Sequence, residues 1–387
     1  MTLTGAAIWG IPEPLDAPPQ LPARAEVVIV GGGITGVALL DVLVRRGVDA
    51  LLVERDHLAA GASGRNAGLL LAGVAENYAR AVSRYSRNVA AAVWAFTLEN
   101  HALTAASAGA KAAGHRRGGS LTVALDGDEA ASLEEAATLL AEDRLPGELR
   151  AQGSPGWLRS LFNPADGEID PVRLVSGIAR GHAKRIFEHR PVISVDDAEN
   201  AATVHLDASS IEAAAVILAT NAWTSQLLPD VAIRPVRAQM LATSPVGPVI
   251  DTPVYADWGH RYWRQRADGS VLVGGFRHRA LADEVGYEAV PSKRVQGHLD
   301  AQLHTLGVDA GVTHRWAGIM GFSVDGLPVA GLAPGRQRIH LCGGYTGHGM
   351  GFAINAANAL SRALLDSIEL PGWLDASRDV AVSSPPT

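Results

Sequence analysis

Residues 25–36 read AEVVIVGGGITG, a short apolar run followed at once by a glycine-rich turn. Residues 25–30 are mostly β-branched and apolar, which is typical of a strand buried on both faces of a parallel sheet. Residues 37–46 carry apolar side chains at helical spacing, and this pattern ends at Gly47. A second apolar run, residues 50–53, ends in Glu54. The pattern predicts one strand, turn, helix and strand unit of an α/β fold.

Three glycines of the turn, Gly31, Gly33 and Gly36, satisfy the GxGxxG pattern. In that pattern the glycines allow a tight turn, close approach of the backbone to a pyrophosphate, and packing of the helix on the strand. The unpaired amides at the start of the helix, at Ile34 and Thr35, would face the phosphates. A glycine-rich turn without a ligand is the alternative interpretation.

Glu54 lies 23 residues beyond Gly31, where a carboxylate would accept hydrogen bonds from a ribose. Its charge would repel a 2′-phosphate, so NADP is the least favoured dinucleotide. These residues alone leave NAD and FAD open.

The chain has 387 residues and 47% hydrophobic residues, enough for a large core and two interleaved domains. A net charge of −7 without a Lys/Arg cluster argues against a nucleic-acid surface, so we expect small-molecule ligands. The single cysteine, Cys342, excludes an internal disulfide and a cysteine-rich metal site, and no metal is expected. We expect a cytoplasmic protein, with neither a signal peptide nor a membrane span.

Four blocks of the chain are informative together. They are VVIVGGGITG with Glu54 and Arg55; GASGRNAG at 61–68; VILATNAWT at 216–224; and WAGIMGFSVDGLPVAG at 316–331 with GGYTGHGMG at 343–351. Together they resemble the FAD-dependent amine and amino-acid oxidase superfamily, the group of D-amino-acid oxidase, glycine oxidase and monomeric sarcosine oxidase. Within it, the chain is most similar to enzymes of the γ-glutamylputrescine oxidase type, on Trp9, GASGRN and ATNA.

The resemblance implies a Rossmann-type FAD-binding domain with a parallel sheet, and an inserted α+β substrate domain with a mixed β-sheet. We expect residues 1–24 to form a Pro-rich arm. Residues 25–75, 151–225 and 316–375 would form the discontinuous FAD-binding domain, and residues 76–150 and 226–315 the substrate domain.

Non-covalent FAD is the cofactor that the resemblance implies. A glycine-rich helix start at 343–351 would also stabilise the negative charge of a reduced flavin. The predicted cofactor-binding residues are Gly31, Gly33, Ile34, Thr35, Gly36, Glu54, Arg55, Ala62, Ser63, Arg65, Asn66, Ala67, Gly68, Leu69, Val192, Thr220, Asn221, Trp223, Gly318, Gly344, Tyr345, Thr346, Gly347, His348, Gly349 and Met350.

The chain departs from the family where relatives bind a substrate carboxylate. The places of the carboxylate-binding arginines and lysine of the relatives match Met320, Gly351 and Gly68 here. Burying a carboxylate without a paired cation costs several kcal/mol, so an α-carboxylate next to the flavin is disfavoured. We therefore expect an amine whose reacting carbon bears no carboxylate.

Further departures concern the cofactor and oxygen. The covalent-attachment cysteine and histidine of relatives correspond to Gly318 and Gly64, which favours non-covalent FAD. The lysine that promotes the oxygen reaction in sarcosine oxidase matches Leu272. Oxidase and dehydrogenase activity therefore stay open.

The candidate catalytic residues are Tyr345 and Tyr262 as aromatic walls, His348 in the flavin-facing turn, and Arg264 as the receiver of a distal carboxylate. Arg264 and His260 share the face of Tyr262 on a strand of period two. The alternatives are ordinary core packing for the tyrosines, a loop hydrogen bond for His348, and a solvated strand arginine.

We predict oxidation of an amine to an imine by hydride transfer to FAD, with hydrolysis to a carbonyl product and oxygen giving hydrogen peroxide. An amino-acid oxidase or dehydrogenase of the same family is the alternative. From other classes, an NAD-linked dehydrogenase and a flavin-holding subunit without turnover remain. The expected partners are a small amine and an electron acceptor, and the oligomeric state is open.

Overall fold

The computed structural model describes residues 5–15, 20–150 and 156–378. Its helices are α1 (Ile34–Arg45), α2 (Tyr78–Tyr85), α3 (Arg87–Ala106), α4 (Gly127–Glu142), α5 (Pro171–Ala179), α6 (Thr224–Leu227), α7 (Lys293–Thr305) and α8 (Gly349–Asp366). Its strands are β1 (Arg24–Val30), β2 (Ala50–Val53), β3 (Leu69–Leu70), β4 (Ser120–Ala124), β5 (Glu148–Arg150), β6 (Arg159–Asn163), β7 (Gly167–Glu168), β8 (Ile186–Phe187), β9 (Val192–Asp197), β10 (Ala202–Leu206), β11 (Ser210–Leu218), β12 (Arg234–Thr243), β13 (Val254–Ala256), β14 (Arg261–Gln265), β15 (Val271–Gly275), β16 (Val312–Phe322), β17 (Val329–Leu332) and β18 (Ile339–Gly343).

The first sheet has the order β17-β18-β11-β1-β2-β8, with β10 and β9 beside β11. β1 pairs in parallel with β2 and with β11, and β18 is parallel to β11. Because β1 lies between two parallel neighbours, Val27 to Val30 are buried. The strand, turn, helix and strand unit and the α/β class predicted from residues 25–54 are confirmed.

The second sheet has the order β16-β12-β15-β14-β13-β4-β6-β5 and is mostly antiparallel, with β13 parallel to β4. Its longest pairing joins β12 to β16, from Arg234 opposite Phe322 to Thr243 opposite Val312. The predicted mixed sheet is therefore present. It also includes β6 and β16, which draw on the segments 151–225 and 316–375 that we expected in the FAD-binding domain.

Helices α1 and α8 pack together on one face of the first sheet, and α3 packs on α8. Val37, Leu40, Phe352 and Ala356 are among the fully buried apolar side chains of that layer. This packing brings the N-terminal ends of α1 and α8 to the same edge of the sheet, although the two helices are more than 300 residues apart. No helix in the described ranges is long and apolar enough to cross a membrane.

Parts of the predicted N-terminal arm, residues 1–4 and 16–19, and the segment 151–155 lie outside the described residues. The described part of the arm contains Trp9, whose side chain is buried. Its indole Nε1 donates a hydrogen bond of 2.8 Å to the Asn66 carbonyl, in the GASGRNAG block. The arm therefore contacts one of the blocks assigned to the cofactor. The assignment of chain segments to the arm, the FAD-binding domain and the substrate domain stays a prediction.

Candidate active site

A cavity of about 510 Å³ lies where the carboxyl ends of β1, β2 and β11 meet the second sheet. Ligands of open α/β sheets bind at such strand ends. The predicted cofactor residues that line the cavity are Gly31, Gly33, Ile34, Thr35, Glu54, Arg55, Ala62, Ser63, Arg65, Asn66, Ala67, Leu69, Val192, Thr220, Asn221, Trp223, Gly318, Tyr345, Thr346, Gly347, His348, Gly349 and Met350.

The other three predicted cofactor residues, Gly36, Gly68 and Gly344, do not line this cavity. A Cβ at Gly36 would overlap the carbonyl oxygen of Gly31, so this glycine allows α1 to pack on β1. The amides of the other two donate to side chains of cavity residues, Gly68 to Asn66 Oδ1 and Gly344 to Asn221 Oδ1. These three glycines therefore support lining residues of the cavity, through helix packing at Gly36 and through hydrogen bonds at Gly68 and Gly344.

Glu54 lines the cavity and follows directly after β2. Its Oε2 accepts a hydrogen bond of 2.5 Å from the Gly32 amide, and its Oε1 accepts one of 2.8 Å from the Asp56 amide. Burial raises the pKa of the Glu54 carboxyl, and these two amides oppose that shift. Each carboxylate oxygen keeps a further lone pair, so Glu54 can accept hydrogen bonds from two ribose hydroxyls.

The GASGRNAG loop is held by its own polar side chains. Asn66 Nδ2 donates to the carbonyls of Ala62 and Ser63, at 3.1 and 2.9 Å. Ser63 Oγ accepts a hydrogen bond of 2.9 Å from the Ile34 amide at the start of α1. Arg65 Nη1 donates to the Ala317 carbonyl of β16, at 3.0 Å. The loop therefore joins α1 to the second sheet along the cavity.

The GGYTGHGMG turn meets the first glycine turn across the same cavity. The hydroxyl oxygens of Thr35 and Tyr345 lie 2.9 Å apart. The Asn221 side chain, after β11, accepts a hydrogen bond of 3.0 Å from Gly344. The Thr346 amide donates to Gly321 of β16, at 2.8 Å. Three of the four sequence blocks and the second sheet therefore converge at this turn.

The part of the cavity next to the second sheet is aromatic. The rings of Tyr255 and Tyr262 stack with centroids 5.4 Å apart, and the His348 ring meets Tyr255 edge-on at 5.8 Å. Burial lowers the pKa of His348 to about 4 and raises the pKa of Tyr262 to about 12. Burial, followed by repulsion from Arg277, lowers the pKa of His260 to about 4. At neutral pH these histidines and Tyr262 are therefore uncharged.

These residues fit an FAD molecule. Glu54 offers hydrogen-bond acceptors to a ribose, and the glycine-rich start of α8 lines the same cavity. Next to that helix start, the buried Nε2 of His348 has no hydrogen-bond partner among the described residues, as expected for a group that contacts a ligand. The described residues contain no cluster of three His, Cys, Asp or Glu side chains that could hold a metal ion.

The profile of the family described as "DAO: FAD dependent oxidoreductase" matches residues 26–363. The chain belongs to this family of FAD-dependent oxidoreductases. The predicted cofactor is therefore confirmed, and the NAD-linked alternative is set aside.

Three relatives illustrate how far the similarity to this DAO-family enzyme extends. A probable oxidoreductase OrdL of Rhizobium meliloti is 25% identical, over 92% of this chain and 88% of the relative. A glycine oxidase of Bacillus licheniformis is 22% identical, over 91% and 96% of the two chains. The crystal structure of glycine oxidase from Geobacillus kaustophilus matches with a TM-score of 0.77 at 20% identity, covering 95% of this chain and 100% of that one.

Arg264 requires a correction, because in this flavoprotein it does not line the cavity. Its Nε lies 3.1 Å from Glu168 Oε2, and its Nη1 donates to the Gly68 carbonyl at 2.7 Å. The residue is 5% exposed, and burial lowers its pKa to about 10. Although it shares the strand face of Tyr262, the GASGRNAG loop covers it. It therefore holds that loop and is not placed to receive a distal carboxylate.

Tyr345 lines the cavity, but its hydroxyl is already hydrogen-bonded to Thr35 and lies 3.6 Å from Cys342 Sγ. Its ring also packs against Phe352 at 6.4 Å between centroids. The predicted role of Tyr345 as a substrate wall therefore competes with a role in joining the two glycine turns. The predicted roles of Tyr262 and His348 agree with their position, and remain predictions.

Four further residues of the substrate end were not predicted: Tyr255, Arg277, Met320 as a wall residue, and Phe322. Tyr255 pairs with Tyr262 across β13 and β14, a register that a single sequence does not reveal. For Arg277 the available signal was its place just after Gly274 and Gly275, which end a buried strand. Polar residues that follow such strand ends often reach a ligand.

Proposed function

We propose that this flavoenzyme oxidises an amine to an imine, which water then hydrolyses to a carbonyl product, and that oxygen is the final electron acceptor. When bound, FAD would accept the hydride that leaves the carbon bearing the nitrogen, and reduction of oxygen by the reduced cofactor would give hydrogen peroxide. The observation that carries the proposal is the buried, aromatic end of the cavity, where Tyr255, Tyr262 and His348 are uncharged at neutral pH.

An amine reaches this end as an ammonium ion but must react as the neutral base, because only the neutral nitrogen has a lone pair with which to form an imine. A buried pocket favours the neutral form of an amine. The stacked rings of Tyr255 and Tyr262 provide such an apolar wall. The unpaired Nε2 of His348 can form one hydrogen bond to the bound nitrogen, and its neutral imidazole adds no opposing charge.

Other residues stand at the places where relatives carry their carboxylate-binding groups. This supports a substrate amine whose reacting carbon bears no carboxylate. Met320, at the matching place on β16, lines the cavity with a thioether and not a guanidinium. The name of the glycine oxidase relatives supports oxidation of a carbon that bears an amino group, with oxygen as acceptor.

The test is anaerobic mixing of the purified holoenzyme with primary amines, N-methyl amines and amino acids, while the visible absorption band of the oxidised flavin is followed. We expect at least one class of amine to remove the band. Admission of oxygen should restore it and release one hydrogen peroxide per amine consumed.

Two results would contradict the proposal. If dithionite reduces the flavin but no amine does, the substrate class is wrong. If an amine reduces the flavin and oxygen does not reoxidise it within the turnover time, the enzyme is a dehydrogenase.

A further inference from the structure

Four consecutive carbonyls of the GASGRNAG loop accept hydrogen bonds from distant parts of the chain. The Arg65 carbonyl accepts one of 3.0 Å from the Trp316 indole. The next carbonyl, of Asn66, accepts one of 2.8 Å from the Trp9 indole. Arg264 Nη1 donates to the two carbonyls that follow, at 3.2 and 2.7 Å. These three donor side chains do not line the cavity, so the four carbonyls point towards groups outside it.

The Asn66 carbonyl and the Ala67 amide belong to one peptide group. In a trans peptide the C=O and N–H bonds point in opposite directions, and the described residues contain no cis peptide bond. The Ala67 amide therefore points away from Trp9. It donates to no acceptor among the described residues, although Ala67 is buried and lines the cavity. Buried amides normally have an acceptor, so this one is available to a ligand in the cavity.

This part of the loop lies next to the second sheet. Arg65 Nη1 donates to the Ala317 carbonyl of β16, and a Cβ on Gly318 would overlap the Arg65 side chain. Gly318 lines the cavity, together with the aromatic residues of the same sheet. Glu54, the acceptor for the ribose, follows β2 of the first sheet. An FAD molecule with its ribose at Glu54 would therefore bring its ring system towards the Ala67 amide.

The N-terminal arm brings Trp9 to this loop and holds it there. The residue is 8% exposed, and its ring lies 5.7 Å from the guanidinium carbon of Arg264 and 5.0 Å from that of Arg266. The Gly5 carbonyl accepts a hydrogen bond of 3.1 Å from Arg65 Nη1. The arm therefore meets the loop at two points, once through the Trp9 indole and once through the backbone of Gly5.

We propose that Trp9 is a positioning residue for the flavin: its indole holds the Asn66 carbonyl, and this fixes the Ala67 amide as a hydrogen-bond donor to the flavin ring. A reduced flavin carries negative charge, and hydrogen bonds to a charged acceptor are stronger than those to a neutral one. A well-placed amide therefore stabilises the reduced flavin more than the oxidised flavin, and raises its reduction potential. The inference goes beyond the proposed reaction and does not depend on the identity of the amine.

The experiment measures the midpoint potential of the bound flavin and the rate at which the holoenzyme releases FAD. Trp9→Phe removes the indole donor and keeps an aromatic ring next to the two arginines. We expect a more negative midpoint potential, measured by equilibration with a redox dye, because the peptide group is free to turn. FAD release after dilution, followed by flavin fluorescence, should be roughly 3- to 10-fold faster, the effect of one hydrogen bond.

The matched control is Trp263→Phe, the same substitution at another buried tryptophan. Trp263 is 4% exposed and does not line the cavity, and it lies on the opposite face of β14 from Tyr262 and Arg264. This variant should have a lower thermal midpoint and unchanged flavin properties. Ile11→Ala is the control within the arm, because Ile11 is 73% exposed. It should leave the potential, the release rate and the thermal midpoint as they are in the wild type.

Three results would overturn the proposal. The first is a wild-type potential and release rate in Trp9→Phe. The second is an equal change in Trp9→Phe and Trp263→Phe, since both flavin properties would then follow general destabilisation. The third is faster release at an unchanged potential, because Trp9 would then retain FAD without placing the amide at the ring. None of these measurements uses an amine, so this proposal and the proposed function can fail separately.

A second variant decides the question if Trp9→Phe does not retain FAD. Gly10 has a φ of 74° and open space around the position of a Cβ. Gly10→Ala therefore strains the turn directly after Trp9 without creating a clash. We expect the same two changes, a more negative potential and faster FAD release. Wild-type values of both in Gly10→Ala would then contradict a positioning role of Trp9.

Discussion

The hydroxyl groups of Thr35 and Tyr345 lie 2.9 Å apart, although 310 residues separate them in the chain. Thr35 belongs to the first turn of α1, and Tyr345 belongs to the turn that precedes α8. Both side chains are buried and both line the cavity. This hydrogen bond therefore ties together the two glycine-rich turns between which the flavin is expected to bind.

Replacing Tyr345 with Phe should weaken FAD binding about 5- to 10-fold, because it removes one hydrogen bond and leaves the Thr35 hydroxyl buried without that partner. The measurement is FAD titration of the apoprotein by fluorescence quenching. Tyr85→Phe is the matched control, since the Tyr85 hydroxyl donates to the Asp325 carbonyl at 2.8 Å and lies outside the cavity. Equal FAD affinities in the two variants would show that the link between the turns does not support the cofactor.

Replacing Glu54 with Gln should lower FAD affinity by about tenfold or more, because hydrogen bonds to a charged acceptor are stronger than those to a neutral one. Flavin content after dialysis and FAD titration both report the change. Glu188→Gln provides the comparison, since Glu188 accepts a backbone hydrogen bond from Leu58 at 2.6 Å but does not line the cavity. A Glu54→Gln variant that retains full FAD affinity would place the ribose elsewhere.

Replacing Arg264 with Gln should destabilise the fold by roughly 1–3 kcal/mol, because the buried Glu168 carboxylate loses this cation and keeps only its ion pair with Arg116. We expect a lower thermal midpoint, with little change in KM for the amine. Arg266→Gln is the neighbouring control, because Arg264 and Arg266 both lie over the Trp9 ring, at 5.7 and 5.0 Å, but Arg266 is more exposed. A large rise in KM with unchanged stability would restore Arg264 as a substrate-binding residue.

The pH dependence of flavin reduction should follow the bound amine and not His348. Since burial lowers the pKa of His348 to about 4, its imidazole gains a proton only below that pH. The rate should therefore rise with pH across about pH 6 to 9 as the amine loses its proton. Stopped-flow reduction of the flavin measures this profile.

The acidic limb of this profile is the pH range over which the rate rises. An amine of lower intrinsic pKa should shift this limb to lower pH, whereas His348→Asn should lower the rate and leave the position of the limb unchanged. Tyr255, His260 and Arg277 face the same space and keep their charge states over this range. A limb that moves in the histidine variant, but not between amines, would assign the ionisation to His348.

The local sequence was sufficient for the nucleotide end of the site. Gly31 to Gly36, the adjoining strands and Glu54 are close in the chain, and strand and helix periodicity places them without long-range information. The GASGRNAG and GGYTGHGMG blocks were predicted as flavin loops from their resemblance to a family, and most of their residues line the cavity.

The substrate end depended on tertiary structure. Arg264 and Tyr262 lie on the same face of β14, as alternation along a strand predicts. A loop from another part of the chain nevertheless covers Arg264 and leaves Tyr262 in the cavity. Tyr255 and Arg277 reach the same space through the antiparallel register of β13, β14 and β15, and through a left-handed backbone at Phe276. Alternation along a strand says which face a side chain is on. Only the packing of distant segments decides whether that face is covered or open, because burial is a property of the neighbours and not of the strand itself.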